Sequence, residues 1–267
     1  MENKALLAVE DIRYSYSKGN EVLHGITAEF SSGKITALLG ANGCGKSTLL
    51  NLIAGVMKPD SGRILLNGAE TRSLKRTAVA QNIAVVHQSN TAPADMTVEK
   101  LVSAGRTPYR TLFGSSTQAD NNAIQKALAD TDTAEFADRA ISALSGGQMQ
   151  RVWLAMALAQ DTDILLLDEI TTYLDVHYQL EILHLIRQLN LKKNITIIIV
   201  LHDINLALEF CDEVVIMKDG AITAQGSIDE AVNERILNEA FDVSSKIVSI
   251  DGKKHCIFSR KGGAYGK

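Results

Sequence analysis

The run Gly40-Ala41-Asn42-Gly43-Cys44-Gly45-Lys46-Ser47-Thr48 has the spacing G-x-x-x-x-G-K-[ST]. Glycines let successive backbone N–H groups turn toward one point, and a helix that starts at the lysine adds a dipole favourable to an anion there. In such a loop Lys46 faces the β- and γ-phosphates of ATP, and the Ser47 hydroxyl is a ligand for Mg²⁺. The competing reading is a glycine-rich turn that matches by accident. Its position argues against accident, because it lies between an apolar strand-like run (34–39) and a segment of helical periodicity.

A second run, Asp163-Ile-Leu-Leu-Leu-Asp168-Glu169, is an apolar strand that ends in two acids. Charge at the buried end of a strand is costly unless something compensates it. Next to a nucleotide the pair has a use: Asp168 joins the shell of the Mg²⁺, and Glu169 polarises the attacking water as general base. The bland alternative is a strand that simply runs out to solvent. A third run, Leu144-Ser145-Gly146-Gly147-Gln148, puts glycines at another helix start and so forms a second anion-attracting tip. A serine N-cap accounts for Ser145 but not for the Gly-Gly-Gln that follows. One chain has no use for two such tips on one γ-phosphate unless the second faces a neighbour's nucleotide.

These runs need a scaffold, and the pattern supplies one. Residues 6–16 and 21–30 alternate apolar and polar, as antiparallel strands do, around a Lys18-Gly19-Asn20 turn. The run 34–39 is mostly apolar, as in a buried parallel strand. Helical periodicity follows over 47–57, then short strands at 63–67 and 83–86. From 89 to 144 β-branched runs are scarce, and Asp120–Asp138 is rich in Ala, Asn, Gln and Asp, so a helical insertion is expected. Helices at 146–159, 176–189 and 204–210 alternate with strands at 163–167 and 195–201. A hairpin over 213–226 turns at Asp219-Gly220. Alternation of this kind predicts an α/β fold with a mainly parallel sheet covered on both faces. From about Ser244 the patterning weakens, and the glycine-containing end around Gly262-Gly263 is expected to be mobile.

Composition narrows the function. A net charge of −4 with 22% charged residues excludes a dedicated nucleic-acid surface. Cys44, Cys211 and Cys256 are too scattered for a disulfide framework or a zinc site, which fits a reducing compartment. The N-terminus lacks the apolar core of a signal peptide, and the longest apolar runs are strand-length, so any membrane part is expected from other chains.

With these motifs in this order, the chain resembles the nucleotide-binding subunit of ATP-binding cassette (ABC) transporters, from Tyr14 to about Gly226. In that family Gly40–Thr48 corresponds to the Walker A motif, Asp163–Glu169 to Walker B and Leu144–Gln148 to the signature. The resemblance implies further roles. Gln88 becomes the Q-loop glutamine on Mg²⁺ and the attacking water. Tyr16 becomes the aromatic on adenine, with Tyr14 as its rival. Asp175 becomes the D-loop residue at a dimer contact, and His202 the switch histidine on the γ-phosphate. Taken singly, each is more economically a packing residue. Two positions depart from the family: Ala41 and Ile170 stand where proline is usual. Proline there would restrict backbone φ, and its loss removes no reacting group. Cys44, inside the loop, raises the expectation that thiol alkylation inhibits the enzyme.

Within the family, Val102–Tyr109, Thr171–Asp175 and Leu201–Asn205 resemble importers of iron–siderophore, haem and cobalamin. The resemblance implies an ATPase core over 1–88 and 145–243, with an antiparallel β subdomain in its N-terminal part. It also implies a helical subdomain over 89–144 and a tail over 244–267. Within the subdomain, 90–114, with Pro93, Arg106 and Phe113, is expected to form the surface on which membrane subunits dock. The implied partners are a second copy on ATP binding, two integral-membrane permease subunits and, indirectly, an extracytoplasmic solute-binding protein. The implied location is the cytoplasmic face of the membrane. A soluble, non-transport ABC ATPase is the alternative, disfavoured by the single cassette and by the lack of basic arms.

Overall fold

The computed structural model describes residues 5–110, 116–172 and 174–261. In chain order the elements are β1 (Ala5–Ser17), β2 (Asn20–Ser31), β3 (Ile35–Gly40), α1 (Lys46–Ile53), β4 (Ser61–Leu66), β5 (Ala69–Glu70), α2 (Arg76–Ala80) and β6 (Ile83–Val86). Then follow α3 (Val98–Ser103), α4 (Gln118–Asp130), α5 (Gly146–Ala159), β7 (Ile164–Leu167), α6 (Val176–Lys193), β8 (Thr196–Val200) and α7 (Ile204–Phe210). The chain ends with β9 (Glu213–Lys218), β10 (Ala221–Ser227), α8 (Ile228–Ala231), α9 (Glu234–Phe241), β11 (Val243–Ile250) and β12 (Lys253–Arg260).

Two compact units divide the chain, one up to Arg72 together with the part from Ile198 onward, the other Ser73–Ile197. In the first, β2, β1, β4 and β5 form an antiparallel sheet in that order. Its register sets Val9 opposite Ala28 on one side and Ile64 on the other, and these apolar residues are buried. The same unit holds β3 beside β9 in parallel, Leu38 against Val215, with β10 turning back antiparallel on β9. Every residue of β3 is buried, Thr36 included, which is why its sequence reads as a mostly apolar run.

The second unit pairs β6 with β7 in parallel, Val86 against Leu167, and adds α2 to α6. α5 buries Val152, Trp153, Leu154 and Ala155, consecutive residues that go round the helix, so its second half is enclosed on nearly every side. The helical segment contains α3 and α4, with α4 started by a capping box between Thr117 and Asp120. The α/β class, the antiparallel β sheet near the N-terminus and the helical segment all appear as expected.

Differences from the sequence reading have local causes. α1 stops at Ile53 rather than running to 57, because Gly55 adopts φ 73°. Val56 N–H then donates to Asn51 O at 3.0 Å and Gly55 N–H to Leu52 O at 3.1 Å, a terminator that satisfies the last carbonyls. The weakly patterned tail contains a full hairpin, β11–β12, with Ile247 opposite Cys256. The mobility expected for 262–267, and Phe113 and Tyr173 as well, lie outside the described residues. No helix among the described residues is long and apolar enough to cross a membrane.

Candidate functional site

The glycine-rich loop leaves β3 and enters α1. Gly40 has φ 148°, and a Cβ there would lie 2.3 Å from Met217 O, so strand packing forbids any side chain. Gly45, at φ 102°, would push a Cβ to 2.5 Å from Leu23 Cδ2 just where α1 begins. Lys46 is buried, and its ammonium donates to Gly40 O at 2.8 Å and Ala41 O at 3.0 Å. The charge therefore sits inside the loop, held by the loop's own carbonyls. Ala41 keeps the turn without proline, accepting from Cys44 N–H at 3.3 Å as well as from Lys46.

The surroundings of Cys44 weigh against the expectation attached to it. The side chain is buried, and burial pushes its thiol pKa up despite the nearby Lys46 ammonium. Less thiolate at neutral pH and little access make it a poor target for alkylation. Tyr16 is 59% exposed, its hydroxyl hydrogen-bonds Thr48 Oγ1 at 3.0 Å, and its ring stands edge-on to Tyr14. Its exposed ring is thus tied to the loop helix, and Tyr14 acts as its support. His202 follows β8 and is exposed, and the next residue, Asp203, caps α7 by accepting from Asn205 N–H at 2.7 Å. Asn42, Gly43 and Ser47 complete the loop as the sequence places them.

In the second unit, β7 delivers Asp168 and Glu169. Asp168 is buried and its N–H donates to Val86 O at 2.9 Å, so the two neighbouring strands fix its backbone. Glu169 has a left-handed backbone at φ 52°, uncommon for a non-glycine residue and frequent at functional sites. Its carboxylate accepts from Gln88 Nε2, which brings together two residues 81 apart in the sequence. Thr172, which sequence reasoning missed, donates to the same carboxylate at 3.4 Å and from its N–H to Glu169 O at 3.0 Å. A hydroxyl three residues past the acid was the available signal. Ile170 is buried, so packing and the Thr172 turn hold the backbone where proline is usual.

The signature tip is closed on itself. Ser145 Oγ accepts from Gln148 N–H at 3.3 Å, and Gln148 Oε1 accepts from Ser145 N–H at 2.9 Å. Helix capping therefore explains Gln148 as well as Ser145, which corrects the sequence reading. Packing explains Gly147, where a Cβ would meet Tyr178 at 2.8 Å, while Gly146 faces open space. Asp175 caps α6, accepting from Tyr178 N–H at 3.1 Å, so this acid also places the ring against which Gly147 fits. Arg106, expected on a docking surface, is buried instead. It pairs with Asp120 at 2.8 Å and donates to Ala159 O at 2.9 Å, at the C-terminal end of α5.

A parallel strand feeding a lysine-bearing glycine loop, and another strand ending in adjacent acids, define a P-loop nucleoside-triphosphatase. A family model described as ABC transporter matches residues 23–172. The chain is 43% identical over 258 residues to the petrobactin import ATP-binding protein FpuD of Bacillus anthracis, covering 96% of this chain and 94% of that one. It is 41% identical over 243 residues to the iron(3+)-hydroxamate import ATP-binding protein FhuC of Bacillus subtilis, covering 91% and 90%. Among solved structures, an ABC transporter of metal-chelate type in an inward-facing conformation matches with a TM-score of 0.82 at 25% identity, over 96% of this chain and 97% of that one. The chain belongs to the ABC transporter family, as an ATP-binding, ATP-hydrolysing subunit of the importer kind.

Proposed function

We propose that this chain drives uptake of an iron–siderophore, haem or cobalamin-type solute through two separate membrane subunits, working as a homodimer that sandwiches ATP. The observation that carries the reading is the pair of unlike glycine-fronted helix starts, one enclosing a buried lysine and the other offering an exposed, uncharged tip. The names of FpuD and FhuC support an iron chelate as solute. In this reading 89–144 forms the helical subdomain that receives the membrane subunits, the rest of 1–243 is the core, and 244–267 is an appended tail. The subunit then sits peripherally on the cytoplasmic face, with a solute-binding protein acting on the far side.

Lys46 and the loop N–H groups of Gly43, Gly45 and Ser47 neutralise and orient the β- and γ-phosphates, and the exposed Tyr16 ring receives adenine. Ser145 and Gly147 of a second copy close over the γ-phosphate, with Asp175 at the contact between copies. Glu169 accepts the proton of the attacking water, Gln88 orients that water, and His202 hydrogen-bonds the γ-phosphate oxygen. The products are ADP and phosphate; their formation removes the bridge between copies and lets the dimer open. Ser47, Gln88 and Asp168 supply hydroxyl, amide and carboxylate oxygens, the hard donors that suit Mg²⁺. When bound, that ion offsets charge developing on the phosphoryl oxygens.

Membranes containing this chain and its co-purified permease test the proposal. ATP-dependent accumulation of a ferric hydroxamate, haem or cobalamin, lost with Lys46→Met, is the expected result. An ATPase that co-purifies with no membrane protein and drives no uptake would reject the importer reading.

A further inference from the structure

The C-terminal hairpin has no part in the chemistry above, yet both of its outer edges are tied down by side chains. Ile247 and Cys256 face one another across the hairpin. Cys256 N–H and C=O both point away from β11, as they do in a non-hydrogen-bonded antiparallel pair. Left alone, those groups would form an open sheet edge. One side chain takes both: Asn205 Oδ1 accepts from Cys256 N–H at 2.7 Å, and Asn205 Nδ2 donates to Cys256 O at 3.2 Å. The carboxamide thus stands in for the peptide of a third strand. On the other edge, Asn238 accepts from Ser245 N–H and Glu234 accepts from Ile247 N–H at 2.8 Å, so α9 holds β11.

Asn205 is the second residue of α7, three positions after His202, and its own N–H is bound by the cap residue Asp203. We infer that Asn205 is a positioning residue that braces the His202 segment against the C-terminal hairpin, giving the hairpin a role in ATP turnover. The inference rests on the assignment of His202 to the γ-phosphate. A cavity of about 480 Å³ is lined by His202, Asp203, Asn205, Phe241, Val243 and Phe258. The hairpin therefore does not pack solidly on the histidine. It fixes the helix that follows through one two-point hydrogen-bonded contact and leaves space beside the ring. An exposed Lys253–Glu209 pair at 3.3 Å adds a second, weaker tie from β12 to α7.

Only an amide can do this, because it donates and accepts from one planar group of the right length. Asn205→Asp keeps the acceptor and loses the donor; Asn205→Leu keeps the shape and loses both. The test measures steady-state ATPase and thermal unfolding for these variants, for His202→Ala, and for Asn205→Leu combined with His202→Ala. The expected result is a roughly ten-fold lower kcat for Asn205→Leu with KM for MgATP within about two-fold, and a smaller loss for Asn205→Asp. The double variant then loses no more than His202→Ala alone, since both act through one group. Additive losses, or parental kcat in Asn205→Leu, would overturn the brace while leaving His202 in its role. Parental kcat in His202→Ala would overturn that role and the brace with it. Should Asn205→Leu not unfold cooperatively, amide exchange at Cys256 in Glu169→Gln protein decides. Slower exchange on adding MgATP supports the brace, and unchanged exchange refutes it.

Discussion

The phosphate loop and the signature tip are both glycine-fronted helix starts, and they are built on opposite principles. In the loop, glycine is compulsory: Gly40 and Gly45 sit against backbone and side-chain atoms with no room for a methyl group. A buried ammonium is locked onto the loop's own carbonyls. At the tip there is no lysine, the serine and glutamine satisfy each other, and of the two glycines only Gly147 is packed, against Tyr178, while Gly146 meets nothing. The loop is thus preorganised to bind an anion by charge, whereas the tip offers only dipole and hydroxyl. In the proposed mechanism affinity belongs to the first and closure to the second. An uncharged tip gains little from phosphate in water, and it becomes useful when a neighbour delivers an anion already held and partly desolvated.

That division can be broken experimentally, most strongly at its charged end. Lys46→Met should lower kcat/KM for ATP by at least about 1,000-fold, because it removes ground-state binding and transition-state stabilisation together. Titration with a fluorescent ATP analogue should show the loss of binding directly. Glu169→Gln separates the two functions: turnover should fall about 100- to 1,000-fold while ATP is still bound. Size-exclusion chromatography of this variant with MgATP should reveal a dimer that persists. Rapid turnover in Glu169→Gln would remove it as the base.

Complementation sharpens the comparison. Lys46→Met and Ser145→Arg should each be inactive alone. Mixed in equal amounts, half of the dimers contain one copy of each, and those carry one site with both an intact loop and an intact tip. About a quarter of parental ATPase should return, as expected for a two-fold dimer with composite sites. No recovery after demonstrated subunit exchange would contradict sharing of sites between copies.

Smaller effects test the supports behind each region. The Thr117 N–H and the Arg106 guanidinium hold the Asp120 carboxyl down to about 2, from an ordinary value of 3.8. A depressed acid stabilises the fold above its unfolded value and loses that contribution as pH falls toward the folded one. Parent stability in urea should therefore drop between about pH 4 and pH 2, and Asp120→Asn should flatten that limb of the curve. The smallest effect concerns Cys44. Its raised pKa keeps the thiol protonated at pH 7, so brief treatment with N-ethylmaleimide should leave most ATPase activity intact. Fast inactivation prevented by ATP would restore the reactive-thiol reading.

Legibility differed along the same divide. Loop, acids and signature could be read as motifs because each depends on residue types at fixed local spacing. The helices Gly146–Ala159 and Ile204–Phe210 were legible to the residue, since cap and apolar period agree there. The hairpin β11–β12 was not. Its strands are half-exposed and polar, and they are secured by Asn205, Glu234 and Asn238 from helices earlier in the chain. Periodicity carries no trace of such contacts. Arg106 misled for the same reason, because a charged residue in a loop-like stretch reads as surface until its partners at 120 and 159 are brought to it.

Sequence alone therefore determined the motifs: a glycine-rich loop with its lysine, a strand ending in two acids and a second glycine-fronted helix start, each written in contiguous residues whose local backbone sets its form. Tertiary structure decided what those groups lean on. It set Gln88 against Glu169, buried Cys44 and Arg106, and tied the hairpin to the helix after His202. These contacts join positions far apart in the chain, where burial and hydrogen-bond satisfaction, rather than local propensity, select one arrangement.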